Sequence, residues 1–259
     1  MKVELIAYTP DAGKIIAAAG KLCYSSADIG SMMAGIDKET ENYYVDMLID
    51  MGHESVIEHA SYTFAIEGLS QAALRQLTRH RIASFSVQSQ RYVNMSDFRY
   101  VIPPSVSENP EALKEFEELV EFAKEKYNII SAHLQKDNFN KIRAGKTGPG
   151  ELSVPDEREE KEYLSQAKKS ANEDARFVLP MACETKIIMS MNARSLYNFF
   201  KLRTCERAQW EIRILAENML AKLKEVSPAL FKKAGPPCFS SGRCPEGKMS
   251  CGKKRGKKE

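Results

Sequence analysis

The chain has 259 residues, and its 38 basic side chains nearly balance 35 acidic ones. This length is enough to bury the core of one large domain or two small ones. The sequence contains no apolar run long enough to cross a bilayer, and residues 1–8 lack the basic and apolar regions of a signal peptide. Six cysteines are too sparse for a disulfide scaffold in a chain of this size. We therefore expect a soluble cytoplasmic protein with reduced thiols and no membrane partner.

The N-terminal residues have the pattern of a strand followed by a helix. Residues 3–8 have the composition of an opening strand. Thr9 and Pro10 are typical of the N-cap and the first position of a helix, which we expect to reach about Leu22.

A second helix and a second strand follow. Asp37 begins a helix with apolar residues at helical spacing, and Gly52 stands where a left-handed C-cap is expected. Residues 60–67 then alternate between apolar and polar side chains, which predicts a half-buried strand. The apolar face of that strand is formed by Tyr62, Phe64 and Ile66.

Residues 76–91 place three arginines and a histidine in a short stretch of backbone. Ser70 is a suitable N-cap, and good helix formers follow it. We therefore expect Gln76, Arg79 and His80 to lie on one side of a helix, at i, i+3 and i+4.

The next stretch, residues 83–91, alternates like a strand. One face is expected to carry Phe85, Val87, Ser89 and Arg91, and the other Ser84, Ser86, Gln88 and Gln90. Basic groups from a helix end and polar groups from a strand would then converge. Because guanidinium groups bind phosphate with two hydrogen bonds and always carry charge, this convergence predicts a site for a planar, phosphorylated ligand.

The histidine spacing argues against a zinc site at the corner after the second helix. His53 and His59 are six residues apart, about 240° around a helix, whereas paired zinc ligands on one helix need i, i+4 spacing. We expect no metal there.

The middle of the chain has the pattern of long helices. Asn109 and Pro110 begin a helix whose apolar residues recur at steps of three and four, as in a core-facing or partner-facing helix. Residues 136–169 are polar and predict a loop followed by a solvated helix. Their glycines, Gly145, Gly148 and Gly150, do not form a dinucleotide or P-loop motif.

The C-terminal half contains a second polar stretch with helical spacing. We expect one helix from Asn192 to about Val226, with Arg194, Asn198 and Arg203 directed toward a pocket and its apolar residues buried.

The C-terminal tail, residues 237–259, is basic and contains three cysteines among glycines. Cys238, Cys244 and Cys251 follow one another at steps of six and seven, without the close Cys-x-x-Cys pair of a zinc ribbon. We expect a disordered basic end and no metal.

Three motifs resemble the flavin-dependent thymidylate synthases. The run Arg79-His80-Arg81 followed by Ser89-Gln90-Arg91 resembles one signature of that family, and Asn-Ala-Arg-Ser-Leu-x-Asn-Phe-x-x-x-Arg from Asn192 to Arg203 resembles another. The Gly-His-Glu-Ser segment from Gly52, with the Glu-His pair that follows it, is similar to a third. The resemblance covers residues 1–99 and 174–227. Many relatives have Glu or Gln where this chain has Val87.

The resemblance implies reductive methylation of dUMP to dTMP, with 5,10-methylenetetrahydrofolate as carbon donor and FAD, reduced by NADPH, as hydride source. It also implies an α+β fold, an antiparallel sheet flanked by long helices, and a homotetramer with its sites between subunits. We expect a catalytic domain over residues 1–236, with a variable helical insertion at about 105–170, and a separate tail over residues 237–259.

The resemblance also assigns the site. Residues implied to face the flavin are His53, Ser55, Glu58, Arg79, His80, Arg81, Arg194 and Asn198. Residues implied to bind the nucleotide are Gln76, Arg79, Ser89, Gln90, Arg91, Arg176 and Arg203. Arg203 is the catalytic candidate, because a guanidinium beside the uracil carbonyls would stabilise negative charge developing on the ring.

A nucleic-acid-binding protein without catalysis is the alternative, because the tail and the Arg-His-Arg run are basic. Such a protein should carry a concentrated basic face with interleaved aromatic residues. The balance of 38 basic against 35 acidic residues does not favour it, and we expect no nucleic-acid partner.

Overall fold

The structure, a computed structural model, describes residues 1–146 and 155–253. The strands are β1 (Lys2–Tyr8), β2 (Ser61–Ser70), β3 (Ser84–Val87) and β4 (Glu184–Asn192). The helices are α1 (Ala12–Leu22), α2 (Ile29–Ala34), α3 (Lys38–Asp50), α4 (Gln71–Leu77), α5 (Pro104–Ser107), α6 (Pro110–Lys146), α7 (Glu157–Ala175), α8 (Ala193–Arg203), α9 (Trp210–Val226), α10 (Pro228–Phe231) and α11 (Pro237–Ser240). Short 3-10 turns cover Val56–His59, Arg176–Val178 and Gly247–Met249.

The predicted α+β class is confirmed, with one antiparallel sheet of four strands in the order β1-β2-β4-β3. The described chain divides into two compact units. The first contains Met1–Leu69, Ala73–Ser86 and Lys186–Glu259, and the second contains Ser70–Ala72 and Val87–Thr185. None of the helices in the described residues is long and apolar enough to span a membrane.

The alternation predicted for β2 is confirmed. Tyr62, Phe64 and Ile66 are fully buried in the core of the first unit. β1 pairs with β2 so that Lys2 lies opposite Glu67 and Tyr8 opposite Tyr62. Because side chains alternate between the two faces of a strand, this register fixes which residues of β2 face the helices.

The cap predicted for α1 is wrong, although the helix ends where expected. α1 begins at Ala12 after Asp11, whose φ is +48°. The Thr9 hydroxyl accepts a hydrogen bond from the backbone N–H of Ser61 at 2.9 Å. The backbone N–H of Thr9 donates to the Ser61 carbonyl at 3.0 Å. Thr9 therefore extends the β1–β2 pairing and is not available to cap the helix.

The second predicted helix is confirmed at both ends. The Asp37 carboxylate accepts a hydrogen bond from the backbone N–H of Thr40 at 2.8 Å, which caps α3. Gly52 follows the helix with a φ of +72°, as a left-handed C-cap requires. The short helix α2 was not predicted.

The long helix predicted from Asn192 to about Val226 is interrupted. α8 ends at Arg203, where the Thr204 hydroxyl donates to the carbonyl of Phe200 at 2.6 Å. α9 begins after Gln209, whose side-chain oxygen accepts hydrogen bonds from Glu211 N–H at 3.0 Å and Ile212 N–H at 3.1 Å. Both helices bury an apolar stripe in the core of the first unit.

The second unit is built around α6 and α7, which pack against each other. α6 continues to Lys146, so the loop predicted from Lys136 is wrong as far as that residue. Gly148 and Gly150 lie outside the described residues. Asp156 caps α7 in a capping box with Glu159, as its acidic sequence favours.

The described part of the C-terminal tail, residues 237–253, has a defined conformation, so the prediction of disorder is wrong for these residues. α11 and the turn at Gly247–Met249 lie in this stretch. Arg207 holds it through hydrogen bonds to Glu246 and to the carbonyl of Met249, both at 2.7 Å. Residues 254–259 lie outside the described residues.

Gly52→Ala should lower the free energy of unfolding by about 1 kcal/mol, because an L residue is strained at a φ of +72°. The control is Gly145→Ala in α6, where a helical residue gains from the change and stability should stay the same or rise by up to about 1 kcal/mol. A Cβ at either glycine has no described atom within 4 Å. Urea denaturation of both variants makes the comparison, and equal effects would contradict the capping role of Gly52.

Candidate active site

A cleft of about 1430 Å³ in the first unit brings predicted site residues together. We call it the cationic cleft. Its walls come from the end of α3, the turn before β2, the turn after α4, the whole length of α8, and the tail. The predicted residues that line it are Glu58, Arg79, His80, Arg81, Arg194, Asn198 and Arg203.

The Arg-His-Arg run enters the cleft from a turn and not from a helix. α4 ends at Leu77, which is fully buried, and the Thr78 hydroxyl donates to the carbonyl of Leu74 at 3.0 Å. The prediction that Gln76, Arg79 and His80 share a helical face is therefore wrong. The residues that follow Leu77 leave the helix and line the cleft.

α8 places polar side chains along one wall. The Asn192 side chain caps the helix by accepting a hydrogen bond from Ser195 N–H at 2.8 Å. Arg194 follows in the first turn and pairs with Glu58 at 2.5 Å and Glu54 at 3.3 Å. Because the helix repeats every 3.6 residues, Asn198 lies one turn further along the same wall.

Arg203, at the end of α8, contacts His80. Its Nε–H donates to His80 Nε2 at 3.2 Å, and the imidazole lies edge-to-face on Phe199 with ring centroids 5.0 Å apart. Burial and the neighbouring Arg203 charge lower the pKa of His80 to about 4. His80 is therefore neutral near pH 7, and its lone pair orients the guanidinium.

The cleft carries a surplus of positive charge. Its three acidic side chains are all in salt bridges, because Asp50 pairs with Lys233 at 2.7 Å while Glu54 and Glu58 pair with Arg194. Five other cations line the cleft and form no salt bridge within the residues that the structure describes. They are Arg79, Arg81, Lys201, Arg203 and Arg243.

The pKa of Arg203 is lowered by burial and by the nearby charge of Arg79. Like charges held together in this way are costly unless an anion binds between them. The electrostatics of the cleft therefore suit a ligand with several negative charges, such as a phosphate or pyrophosphate.

Sequence reasoning missed five charged residues of the cleft, which are Asp50, Glu54, Lys201, Lys233 and Arg243. Glu54 is next to a predicted residue, and its pairing with Arg194 depends on a contact 140 positions away in the chain. Lys201 lies on the same helix as Arg194 and Arg203, and its spacing could have indicated it. Arg243 belongs to the tail that was predicted to be disordered.

Three predicted residues of the first unit do not line the cleft as the structure describes it. They are His53, Ser55 and Gln76. His53 and Ser55 are exposed at the corner after α3, and Gln76 is half-buried on α4.

The remaining predicted residues lie in the second unit. β3 ends at Val87, so Ser89 and Arg91 do not continue that strand, contrary to prediction. Arg91 pairs with Glu173 at 2.6 Å. Its Nε, like the side-chain nitrogen of Gln90, is buried without a hydrogen bond in the described residues. Such groups are expected to have a polar partner when the site is complete.

Two other residues of the second unit bear on the chemistry. Arg176 is half-buried at the end of α7. Cys183 is fully buried, and burial raises the pKa of its thiol to about 11. A thiol in this state is a poor nucleophile, because the thiolate is the reactive form.

The family model described as "Thymidylate synthase complementing protein" matches residues 4–229. The chain belongs to the flavin-dependent thymidylate synthase family. The match covers the cationic cleft except for Lys233, Gly235 and the tail residues, and it includes the three motifs around Gly52, Arg79 and Asn192.

Relatives named flavin-dependent thymidylate synthase are similar to this chain over nearly all of its length. The protein from Clostridium tetani is 46% identical over 253 residues, which are 98% of this chain and 94% of the relative. The protein from Nitratidesulfovibrio vulgaris is 43% identical over 258 residues, or 97% of this chain and 94% of the relative. The protein from Geobacter sulfurreducens is 43% identical over 255 residues, or 98% and 94%. These matches support the enzyme hypothesis and not the nucleic-acid-binding alternative.

The His80 imidazole should titrate with a midpoint near pH 4 and carry its proton on Nδ1 when neutral. Between pH 6.5 and 4 the unfolded chain binds a proton at this residue that the folded protein does not. The free energy of unfolding should therefore fall as the pH is lowered through that window. Nitrogen NMR shifts of the histidine rings, assigned with His80→Gln, measure both the midpoint and the tautomer. A midpoint near 6.5 would contradict the contact with Arg203.

Proposed function

We propose that this protein makes dTMP by reductive methylation of dUMP, with 5,10-methylenetetrahydrofolate as carbon donor and FAD, reduced by NADPH, as hydride source. The observation that carries this proposal is the concentration of family-motif residues around one cleft with surplus positive charge. A flavin dinucleotide and a nucleotide monophosphate are both anions, so the charge of the cleft suits both classes of ligand.

The cleft fits a flavin dinucleotide in size and in charge. Its volume of about 1430 Å³ exceeds the roughly 300–1,000 Å³ of a typical small-molecule site. We assign Arg79 and Arg81 to the pyrophosphate, because both guanidinium groups lack a salt bridge in the described structure. Arg194 and Asn198, on the exposed wall of α8, would hold the remainder of the cofactor. When bound and reduced, the flavin supplies the hydride.

We assign polarisation of the pyrimidine to Arg203. Its guanidinium is partly buried, so its charge is less screened than that of an exposed arginine. The contact with neutral His80 fixes the orientation of the guanidinium without neutralising it. Negative charge that develops on a uracil carbonyl oxygen would therefore be stabilised by a preorganised donor.

We retain the other residues that the resemblance implies as nucleotide ligands. Gln76 lies in the first unit, and Ser89, Gln90, Arg91 and Arg176 lie in the second. The buried and unpartnered side-chain nitrogens of Gln90 and Arg91 support this assignment, because such groups need a hydrogen-bond acceptor. His53, Ser55 and Glu58 remain proposed flavin contacts on resemblance alone.

We also propose a homotetramer with sites at subunit interfaces and a cytoplasmic location. The outer face of the sheet carries Ile6 and Ile188, each about half exposed, which suits burial against another copy. All six cysteines are free thiols, as is usual for cytoplasmic proteins. Light scattering on the purified protein tests the tetramer.

The activity is tested on the purified full-length protein. We expect it to retain a chromophore with the visible spectrum of an oxidised flavin, identified as FAD by mass after release. We also expect it to form dTMP only when dUMP, methylenetetrahydrofolate and NADPH are all present. Protein that binds FAD when it is supplied, but makes no dTMP with all three substrates, would overturn the proposed reaction.

Arg203→Ala should lower kcat by about 100-fold, or about 2.7 kcal/mol of transition-state stabilisation, and should leave FAD binding within about threefold. The control is Arg75→Ala, which removes an exposed arginine of α4 outside the cleft and should change neither quantity. Steady-state kinetics and flavin titration give the two readouts. Loss of FAD with unchanged turnover per bound flavin would place Arg203 among the cofactor ligands instead.

A further inference from the structure

Four of the six cysteines line a second, smaller cleft in the first unit. Its volume is about 320 Å³, and we call it the thiol cleft. Cys238, Cys244 and Cys251 come from the tail, and Cys205 comes from the turn between α8 and α9. Their spacing in the sequence gave no reason to join Cys205 to the other three, because it lies more than thirty positions upstream.

The tail has no apolar core of its own. Residues 239–253 include no buried side chain. The salt bridge between Arg207 and Glu246 joins two side chains that are 38% and 45% exposed, and such a pair contributes roughly 0–1 kcal/mol. Ordering the backbone of a residue costs about 1–2 kcal/mol. Even with the hydrogen bond from Arg207 to the carbonyl of Met249, these contacts are too weak to hold fifteen residues in one conformation, and small segments of this kind need a cross-link.

A disulfide does not supply the cross-link, because all four thiols are free. Four cysteines are the ligand set of a structural zinc site, in which a tetrahedral metal is held at about 2.3 Å from each sulfur. No three Cys, His, Asp or Glu side chains of the described residues are grouped so that they could hold a metal ion. A metal at this cleft would therefore require the tail to close on it.

The tail has the backbone freedom for such a movement. Gly242 and Gly252, which flank Cys244 and Cys251, have φ values of +68° and +73°, and a Cβ at either glycine would meet no described atom within 4 Å. Cys251 is exposed, and its thiol makes only a long contact of 3.8 Å to the carbonyl of Lys253. Reorienting these two turns breaks no buried contact of the described tail.

The charges around the thiol cleft suit a metal tetrathiolate, which carries two negative charges. Glu206 is paired with Arg213, and Glu246 with Arg207, each at 2.7 Å or less. Lys201, Arg203 and Lys253 also line the cleft and form no salt bridge within the described residues. Their positive charge would offset that of the four thiolates.

We propose that Cys205, Cys238, Cys244 and Cys251 bind one zinc ion, which fixes the tail to the turn between α8 and α9. Binding releases the thiol protons and forms four zinc–sulfur bonds, with no change of oxidation state. The three tail cysteines alone lack the spacing of a zinc ribbon, and Cys205 supplies the fourth ligand. The proposal does not depend on the reaction assigned to the cationic cleft.

The test is metal content and zinc affinity of the full-length protein, handled without oxygen. We expect one zinc per chain, and cobalt in its place should give the visible and near-ultraviolet bands of a tetrahedral thiolate complex. Cys251→Ser and Cys205→Ser should each lower zinc affinity by about 100-fold or more, since loss of an outer-shell partner alone costs roughly 10–100-fold. The matched control is Cys23→Ser, an exposed cysteine outside the thiol cleft, which should bind zinc like the parent protein.

Far-UV circular dichroism shows whether each variant is folded, and zinc affinities are compared only among folded variants. Cys251 is exposed, so its substitution should disturb folding least. Limited proteolysis after each tail arginine and lysine should accelerate when zinc is removed from the parent protein. Protein that takes up no zinc, or variants that bind it as tightly as the parent, would overturn the proposal. So would disulfides among the four cysteines, or iron and sulfide bound in place of zinc.

Discussion

Positive charge that no carboxylate offsets is the constraint on which the cationic cleft depends. Arg79 lies close enough to Arg203 to lower its pKa, and repulsion of this kind opposes folding. Each fully buried side chain of α8, such as Leu196 or Phe200, contributes about 1.5–3 kcal/mol, against roughly 1 kcal/mol for a solvent-exposed charge pair. The core can therefore hold the cations together until an anion binds. A ligand then gains affinity from charges that are already in place.

The neutral state of His80 follows from the same constraint. A protonated imidazole would add a further cation beside Arg203. It would also place a hydrogen on His80 Nε2, the atom that accepts the hydrogen bond from Arg203 Nε. Contact with Phe199 removes water from one side of the ring and disfavours the charged form as well. Sterics, charge and hydrogen bonding thus select one protonation state and one tautomer. That state holds the guanidinium of Arg203 in a fixed direction.

Local patterns in the sequence were sufficient for β1, β2 and the start of β3, but β4 was not predicted, and the seven predicted cleft residues came from the family resemblance. The alternation of Tyr62, Phe64 and Ile66 reports burial directly, and the αL position of Gly52 follows from its place after α3. Helix ends were predicted less well, because they depend on distant contacts. The Thr9 hydroxyl is hydrogen-bonded to Ser61 across the sheet and so does not cap α1. α4 ends at Leu77, which is buried in the core. Neither contact leaves a periodic signal in the sequence.

The tail shows why composition alone misjudged its order. Basic residues and glycines are typical of disorder when nothing else holds the chain, but a cross-link of the kind proposed for the four cysteines would not register as hydrophobicity. Pro237, Cys244 and Pro245 line both clefts, and Arg243 lies between two of them in the chain. Whatever fixes the thiols therefore also fixes Arg243 at the wall of the cationic cleft. The contribution of Arg243 to the charge of the larger cleft therefore depends on what holds the tail.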